Sequence, residues 1–368
     1  MNNIIKYCIL LVITVIVYII IYNKSKKPTL FNIDLHISVI EDFMNINTDI
    51  VQVDDHSISG HTWVLNKKKE NNYHIKDNNW TNIINNENEI KKFVTLHQDE
   101  LSNYDGFIVT HTPSFLLLYE SFNKPIIIIN SCRYENPFIN NIPKWIMLNK
   151  TIKRLWDNKL LYVVSNNKAD QNYINIGCGI QSLYIPSLCL YTNEKYRGNI
   201  NKLLIYNNEQ LFPDNKNFQK KSELNRYKWA DIYNYKGIIH IPYEISTMSI
   251  FEQYSANIPL FFPSKKYLKQ LLNTNTISMQ TLYSKKCPES LINILSPKYF
   301  FENWVEKADY YDTENMPYIQ YFDNMDHLLH KINTVDYDDI SYKMKEHNKI
   351  KYNNVKKSWN KLFNNIFP

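Results

Sequence analysis

The chain has 368 residues, 44% of them hydrophobic and 21% charged, with a formal net charge of +6. That length suits two domains of about 150 residues each, and the scattered lysines lack the basic stripe of a nucleic-acid binder. The five cysteines (Cys8, Cys132, Cys178, Cys189, Cys287) form no C-x-x-C or Cys/His spacing, so neither a disulfide framework nor structural zinc is expected.

Tyr7 to Tyr22 is an uncharged run. With Ile4 and Ile5 it is nearly long enough to cross a hydrocarbon core of about 30 Å as a helix. It exceeds a usual signal-peptide core, and Asn23, Lys24, Ser25, Lys26 and Lys27 follow it in place of a small-residue cleavage site. The first predicted element is therefore one transmembrane helix, meeting the membrane through residues 4–22. Lysines on both flanks leave the side that carries the rest of the chain undecided.

Beyond the anchor, short apolar runs alternate with helically spaced segments, which is an α/β pattern. Predicted strands in the first half are Ile33 to Ile40, Ile50 to Val53, Gly106 to Thr110, Pro125 to Asn130 and Leu160 to Ser165. Their mostly unalternating, β-branched runs suit buried parallel strands. Helices are predicted over Glu89 to His97, Pro113 to Phe122 and Pro143 to Asp157, and Lys67 to Asn88 reads as a surface excursion. The second half repeats the rhythm, with strands at Lys202 to Tyr206, Gly237 to Ile241, Ile258 to Phe262 and Ile319 to Phe322. One or two helices close the chain over Asp336 to Phe367. The expected division is 1–27 anchor and flank, 28–190 a Rossmann-like acceptor domain, 191–335 a Rossmann-like nucleotide-sugar domain, and 336–368 closing helices.

With only six glycines the chain shows neither G-x-G-x-x-G nor a P-loop, and G-x-S-x-G and H-E-x-x-H are also absent. The strongest constellation is IIHIPYEISTMSIFEQYSANIPLFFPS, Ile238 to Ser264, where a strand runs to Glu244, a helix opens near Ser246 to Ser249, and Glu252 lies about a turn inside it. The crevice at the carboxyl ends of parallel strands is where such sheets bind ligands, and amides at a helix start attract phosphate oxygens. Glu252 is placed to accept from a ribose diol and Glu244 to meet sugar hydroxyls. Hydroxyls of Ser246, Thr247 and Ser249 either contact phosphate or cap the helix.

This spacing, Glu244, seven residues, Glu252, then Ala256 to Pro259, resembles the E-x7-E segment of retaining GT-B glycosyltransferases, and LYVVSNNKADQNYINIGCGIQSLYIPS (Leu161 to Ser187) is similar to the end of their first domain. The chain is also similar to glycosyltransferase-like proteins of large viruses and algae. After Glu244, Ile245, Ser246, Thr247 and Met248 stand where the family usually has glycines. The resemblance implies two Rossmann-like domains facing a cleft and transfer of a sugar from a nucleotide-activated donor to a hydroxyl of a glycan, protein or lipid. It further implies that Glu252 holds the donor ribose and that no catalytic metal and no cofactor take part. A sugar-nucleotide epimerase and an inactive membrane-tethered sugar-binding or virion protein are the alternatives of the same fold.

In the first domain His56, His61 and His111 lie in loops after strands and suit a general base, with Asp55 as a candidate beside Asp54. Arg133, just past a strand, suits a phosphate or charged acceptor, or pairs with Glu135. Cys132 is either a reactive thiol or an inert buried one, and Trp304 and Tyr310 either stack on a sugar or pack in the core.

Overall fold

The computed structural model describes residues 27–59, 65, 73–279, 286–296 and 299–368. The predicted anchor and His61 lie outside them. Among the described residues no helix is long and apolar enough to cross a membrane.

Two sheets carry the chain. Strands β1 (Thr29–Asn32), β2 (Gln52–Asp55), β3 (Gly106–Val109), β4 (Ile126–Asn130), β5 (Leu161–Ser165) and β6 (Leu183–Tyr184) form the first, in the order β2-β1-β3-β4-β5-β6. Strands β7 (Ile200–Ile205), β8 (Phe218–Lys220), β9 (Tyr235–Ile239), β10 (Leu260–Pro263) and β11 (Gln320–Phe322) form the second, in the order β11-β10-β9-β7-β8. Every pairing is parallel. This α/β architecture, with two Rossmann-like sheets, is consistent with the GT-B expectation. The α-helices of eight residues or more are α1 (Ile37–Asn47), α2 (Glu87–Leu101), α3 (Ile142–Asp157), α4 (Lys168–Cys178), α5 (Met248–Ser255), α6 (Lys265–Asn273), α7 (Met325–Thr334) and α8 (Tyr337–Ile366).

Burial on both faces explains why the strand sequences do not alternate. In β4, Ile126 and Ile128 join a cluster with Trp145 and Leu148 of α3, whereas Ile127 and Ile129 join the opposite cluster with Val39 and Phe43 of α1. Each face must be apolar because each is roofed by helices. The first of these clusters runs without a break from Phe31 to Phe322, through both sheets.

Several expectations need correction. Ile33 to Ile40 is not a strand: β1 ends at Asn32, Asp34 is buried, and α1 begins at Ile37. The spacing of Ile37, Ile40, Phe43 and Ile46, one buried residue per turn, overrides the strand preference of the β-branched residues. Pro113 to Phe122 forms two 3-10 segments rather than an α-helix. The stretch expected to be a surface excursion instead buries Tyr73, Ile75 and Ile84. Of the one or two closing helices expected, the structure has a single helix of 30 residues, Tyr337–Ile366.

That helix serves both sheets. Tyr337 near its start packs on Phe261 of β10, with ring centroids 5.9 Å apart, and Trp359 near its end packs on Phe43 of α1 at 5.0 Å. Trp359 is 4% exposed. Trp359→Ala is therefore expected to destabilise the protein by about 3–5 kcal/mol, whereas Tyr342→Ala, at a side chain 64% exposed, stays within about 0.5 kcal/mol. Denaturant unfolding of both variants, together with proteolysis in α8, checks the contrast.

Candidate functional site

In each sheet the chain reverses its direction of strand addition once, and the crevice at the carboxyl ends of the two strands flanking the reversal is where open α/β sheets bind ligands. In the first sheet the reversal falls between β1 and β3, and in the second between β7 and β9.

The first crevice is organised by Asp34. This carboxylate is fully buried, and its Oδ2 accepts from the backbone N–H of Thr110 (2.8 Å), His111 (3.0 Å) and Thr112 (3.4 Å), while Oδ1 accepts from Leu35 N–H at 2.6 Å. Burial raises its pKa to about 6 against the opposing pull of those amides. The loop it fixes presents His111, whose ring lies 4.8 Å from that of His36. Nδ1 of His111 lies 3.5 Å from Ser131 Oγ and Nε2 lies 3.8 Å from Cys132 Sγ. Burial, then His36 and Arg133, hold the His111 pKa well below the usual value, so the ring is neutral. Burial also pushes the Cys132 thiol up, which makes it a poor nucleophile.

Arg133, in the loop after β4, is 6% exposed and bonds Glu244 Oε2 through Nη2 at 2.9 Å. The predicted alternative partner, Glu135, forms no ion pair with it, and burial raises the Glu135 pKa to about 7. Glu244 also accepts from Ile245 N–H through Oε1 at 2.8 Å. The ion pair thus ties the loop after β4 to the loop after β9.

The second crevice follows. Thr247 is the N-cap residue of α5, yet its side chain makes no capping bond and lies 3.1 Å from Ser249 Oγ. Ser246 donates to buried Asp309 at 2.5 Å, so none of the predicted hydroxyls caps the helix. Glu252 accepts from Tyr191 Oη at 2.5 Å through Oε1 and from Trp229 Nε1 at 3.0 Å through Oε2, and burial raises its pKa. His240, fully buried, reaches Gln253 Oε1 at 2.6 Å and stacks on Phe262; burial lowers its pKa to about 4. Lys221 Nζ sits 3.9 Å over the Tyr206 ring and acts electrostatically on both His240 and Glu252.

The fold therefore brings together His111, Arg133, Glu244 and the start of α5. His56 belongs elsewhere, its ring stacked on Phe31 and 4.7 Å from that of Tyr73. Asp54 rather than Asp55 faces it, at 3.0 Å. Asp55 Oδ1 accepts from Asn32 and Ser57 and closes a local turn. Trp304 and Tyr310 are core residues, each 0% exposed. Sequence reasoning missed Asp34, His36, Ser131, Lys221 and Trp229. A signal existed for Ser131, which directly follows a strand in the loop of Arg133, but none for Lys221. Among the described residues no group of three or more His, Cys, Asp or Glu side chains is arranged to hold a metal ion.

No family model matches the chain. No curated protein matches it either. Among solved structures it is similar to CalG4, the calicheamicin glycosyltransferase, at 8% identity and a TM-score of 0.37 over 93% of this chain and 100% of that one. A likeness that low carries no argument for activity, and the two-sheet architecture stands on its own topology.

Asp309, which accepts from Ser246, has its pKa raised by burial from 3.8 to about 8 although that bond favours the carboxylate. A carboxyl raised in the folded state contributes stability that is fully present below its unfolded pKa and lost as pH rises through the folded one. Asp309→Asn, which mimics the protonated form, should therefore match wild type near pH 4 and gain melting temperature over it progressively up to about pH 8. Thermal unfolding across that range checks this, and a constant difference at all pH values would refute it.

Proposed function

We propose that the chain is a metal-independent glycosyltransferase that moves a sugar from a nucleotide-activated donor to an acceptor hydroxyl. The observation that carries the reading is the joining of two switch-point crevices, from separate parallel sheets, through the buried Arg133–Glu244 pair. A reaction between two bound substrates needs such a paired arrangement, because holding both in register removes most of the entropic barrier.

In this reading the donor lies in the second crevice. Each oxygen of Glu252 keeps a lone pair beyond its bond to Tyr191 or Trp229, and the two face the ribose diol. Amides at the start of α5 meet the diphosphate, with Ser246, Thr247 and Ser249 beside them and Lys221 supplying positive charge. The acceptor lies in the first crevice, where neutral His111 takes the proton of its hydroxyl as the new bond to the anomeric carbon forms and the bond to the diphosphate breaks. Arg133 stabilises the charge that develops on the leaving group.

A thermal-shift panel of nucleoside diphosphates and sugar nucleotides tests the reading, since a ligand that binds only the folded state raises its melting temperature. Glu252→Gln should weaken nucleoside diphosphate binding by about 1–3 kcal/mol with little change in melting temperature without ligand. His111→Ala should lower transfer by about 10²–10⁴-fold and leave donor affinity nearly unchanged, measured by calorimetry alongside the transfer assay. Equal transfer by His111→Ala and wild type would place the base elsewhere.

A further inference from the structure

The second crevice is floored by a row of aromatic rings. Tyr206 and His240 are the first residues past β7 and β9, the two strands that flank the reversal of the second sheet. Their rings lie 5.0 Å apart. Behind His240 the row continues into the core, to Phe262 of β10 at 4.9 Å and from Phe262 to Tyr310 at 4.7 Å. His240, Phe262 and Tyr310 are fully buried, whereas Tyr206 is only partly buried and forms the outer end of the row. An ammonium covers it there. Lys221 Nζ sits 3.9 Å over the Tyr206 ring and 5.4 Å from the ring centre of Tyr227, a side chain 39% exposed.

Lys221 directly follows β8, whose Lys220 is paired with Ile205 of β7, and Ser222 N–H donates to Glu209 Oε1 at 2.8 Å, so the main chain is held on both sides of it. The freedom left to Lys221 is that of a long, flexible side chain. The same ammonium acts electrostatically on Glu252, which places the covered ring face and the ribose-binding group in one site. A flat ring stacked on Tyr206 stands about 3.5–4 Å from its face. The Lys221 ammonium holds that position, so the two exclude each other. Every nucleobase has a π-face that stacks on such a ring, and an ammonium drawn off an aromatic face loses an electrostatic partner that an anion can replace. A diphosphate on the amides at the start of α5 supplies that anion.

We propose that Tyr206 and Tyr227 are the base platform of the second crevice, and that Lys221 is a place-holder which the base displaces and which then pairs with the diphosphate. The inference rests on the reading of this crevice as the donor site. It makes recognition conjunctive. A nucleoside alone must displace the ammonium and offers nothing to pair it, pyrophosphate alone gains no stacking, and a nucleoside diphosphate satisfies both demands at once.

Calorimetry on the full chain with uridine, adenosine, their diphosphates and inorganic pyrophosphate tests this in wild type, Lys221→Met and Tyr227→Ala. Lys221→Met is expected to bind the nucleosides about two- to fivefold more tightly than wild type, the strength of an exposed cation–π contact, and the nucleoside diphosphates more weakly. Tyr227→Ala, at an exposed side chain whose loss leaves melting unchanged, should bind nucleosides and their diphosphates at least about fivefold more weakly, with pyrophosphate binding as in wild type. Acylation of Lys221, read by mass spectrometry, should speed up with saturating nucleoside and slow down with nucleoside diphosphate, while Lys150 on α3 labels equally in both. Opposite signs separate a place-holder from a lysine that merely supports the loop. If Lys221→Met weakens nucleosides and diphosphates alike, or changes neither, or if Tyr227→Ala loses pyrophosphate together with the base, the inference falls and the donor reading stands. If no nucleoside diphosphate binds wild type, both fall.

Discussion

One buried ion pair sets the relation between the two halves of the molecule. Arg133 comes from the first sheet and Glu244 from the second, and their side chains are only 7% and 9% exposed. Removing two charges from water costs more than their attraction returns unless the geometry is good and further hydrogen bonds complete it. Glu244 has such a bond from Ile245 N–H. Losing one partner strands a buried charge, typically at 3–5 kcal/mol, so the pair resists any arrangement of the loops other than this one. The second bridge between the sheets, Lys168 to Asp312 at 2.9 Å, leaves its lysine 39% exposed. Solvent screens it, and its contribution is correspondingly small.

Around Arg133 the carboxyl groups outnumber the cations. Glu135 and Asp170 both feel its charge, yet burial still raises the pKa of each, Glu135 to about 7. Glu244 holds the guanidinium, and burial favours the protonated form of Glu135. Asp34 meets the same difficulty with backbone amides, taking four of them where a salt bridge is lacking. The shared location is informative: these groups occupy the carboxyl edge of the first sheet, where strands end and loop amides need partners. Carboxyls held near neutrality at a crevice cost stability in a place where a site needs groups that exchange protons.

What the sequence disclosed followed from repetition, and what it hid followed from distance. The Ile126 to Ile129 run made β4 legible because every position is buried on one face or the other. The Glu244 and Glu252 spacing was legible because strand, turn and helix are contiguous. Ile33 to Ile40 misled because the chain leaves β1 through buried Asp34, two residues past the strand's end, whose partners, Thr110 to Thr112, lie 76 to 78 positions away. No local pattern announces such a contact. Arg133 was recognised as well placed, but its true partner stands 111 residues on. Lys221 was invisible for a different reason. It follows a strand of three residues, too short to show periodicity, and reaches its crevice by lying over Tyr206.

Movement between the sheets is constrained by α8 as well as by the linker. The linker turns at three left-handed residues, Cys189 (φ 53°), Asn193 (φ 52°) and Gly198 (φ 64°). Leu188 and Cys189 donate their N–H groups to buried Asp42 of α1, and Tyr196 and Arg197 donate theirs to the carbonyls of Ala256 and Tyr233, so the linker is tied on both sides. Lys351 lies midway along α8, 6% exposed, and its Nζ has no hydrogen-bond partner among the described residues. Burial lowers its pKa to about 8, while Asp309, Asp42 and Asp312 favour its charge. Asp42 holds the linker and Asp309 holds Ser246 in the loop after β9, and both act electrostatically on this one amine. A rotation of one sheet against the other would pull Trp359 off Phe43 or Tyr337 off Phe261, the contacts by which α8 holds both.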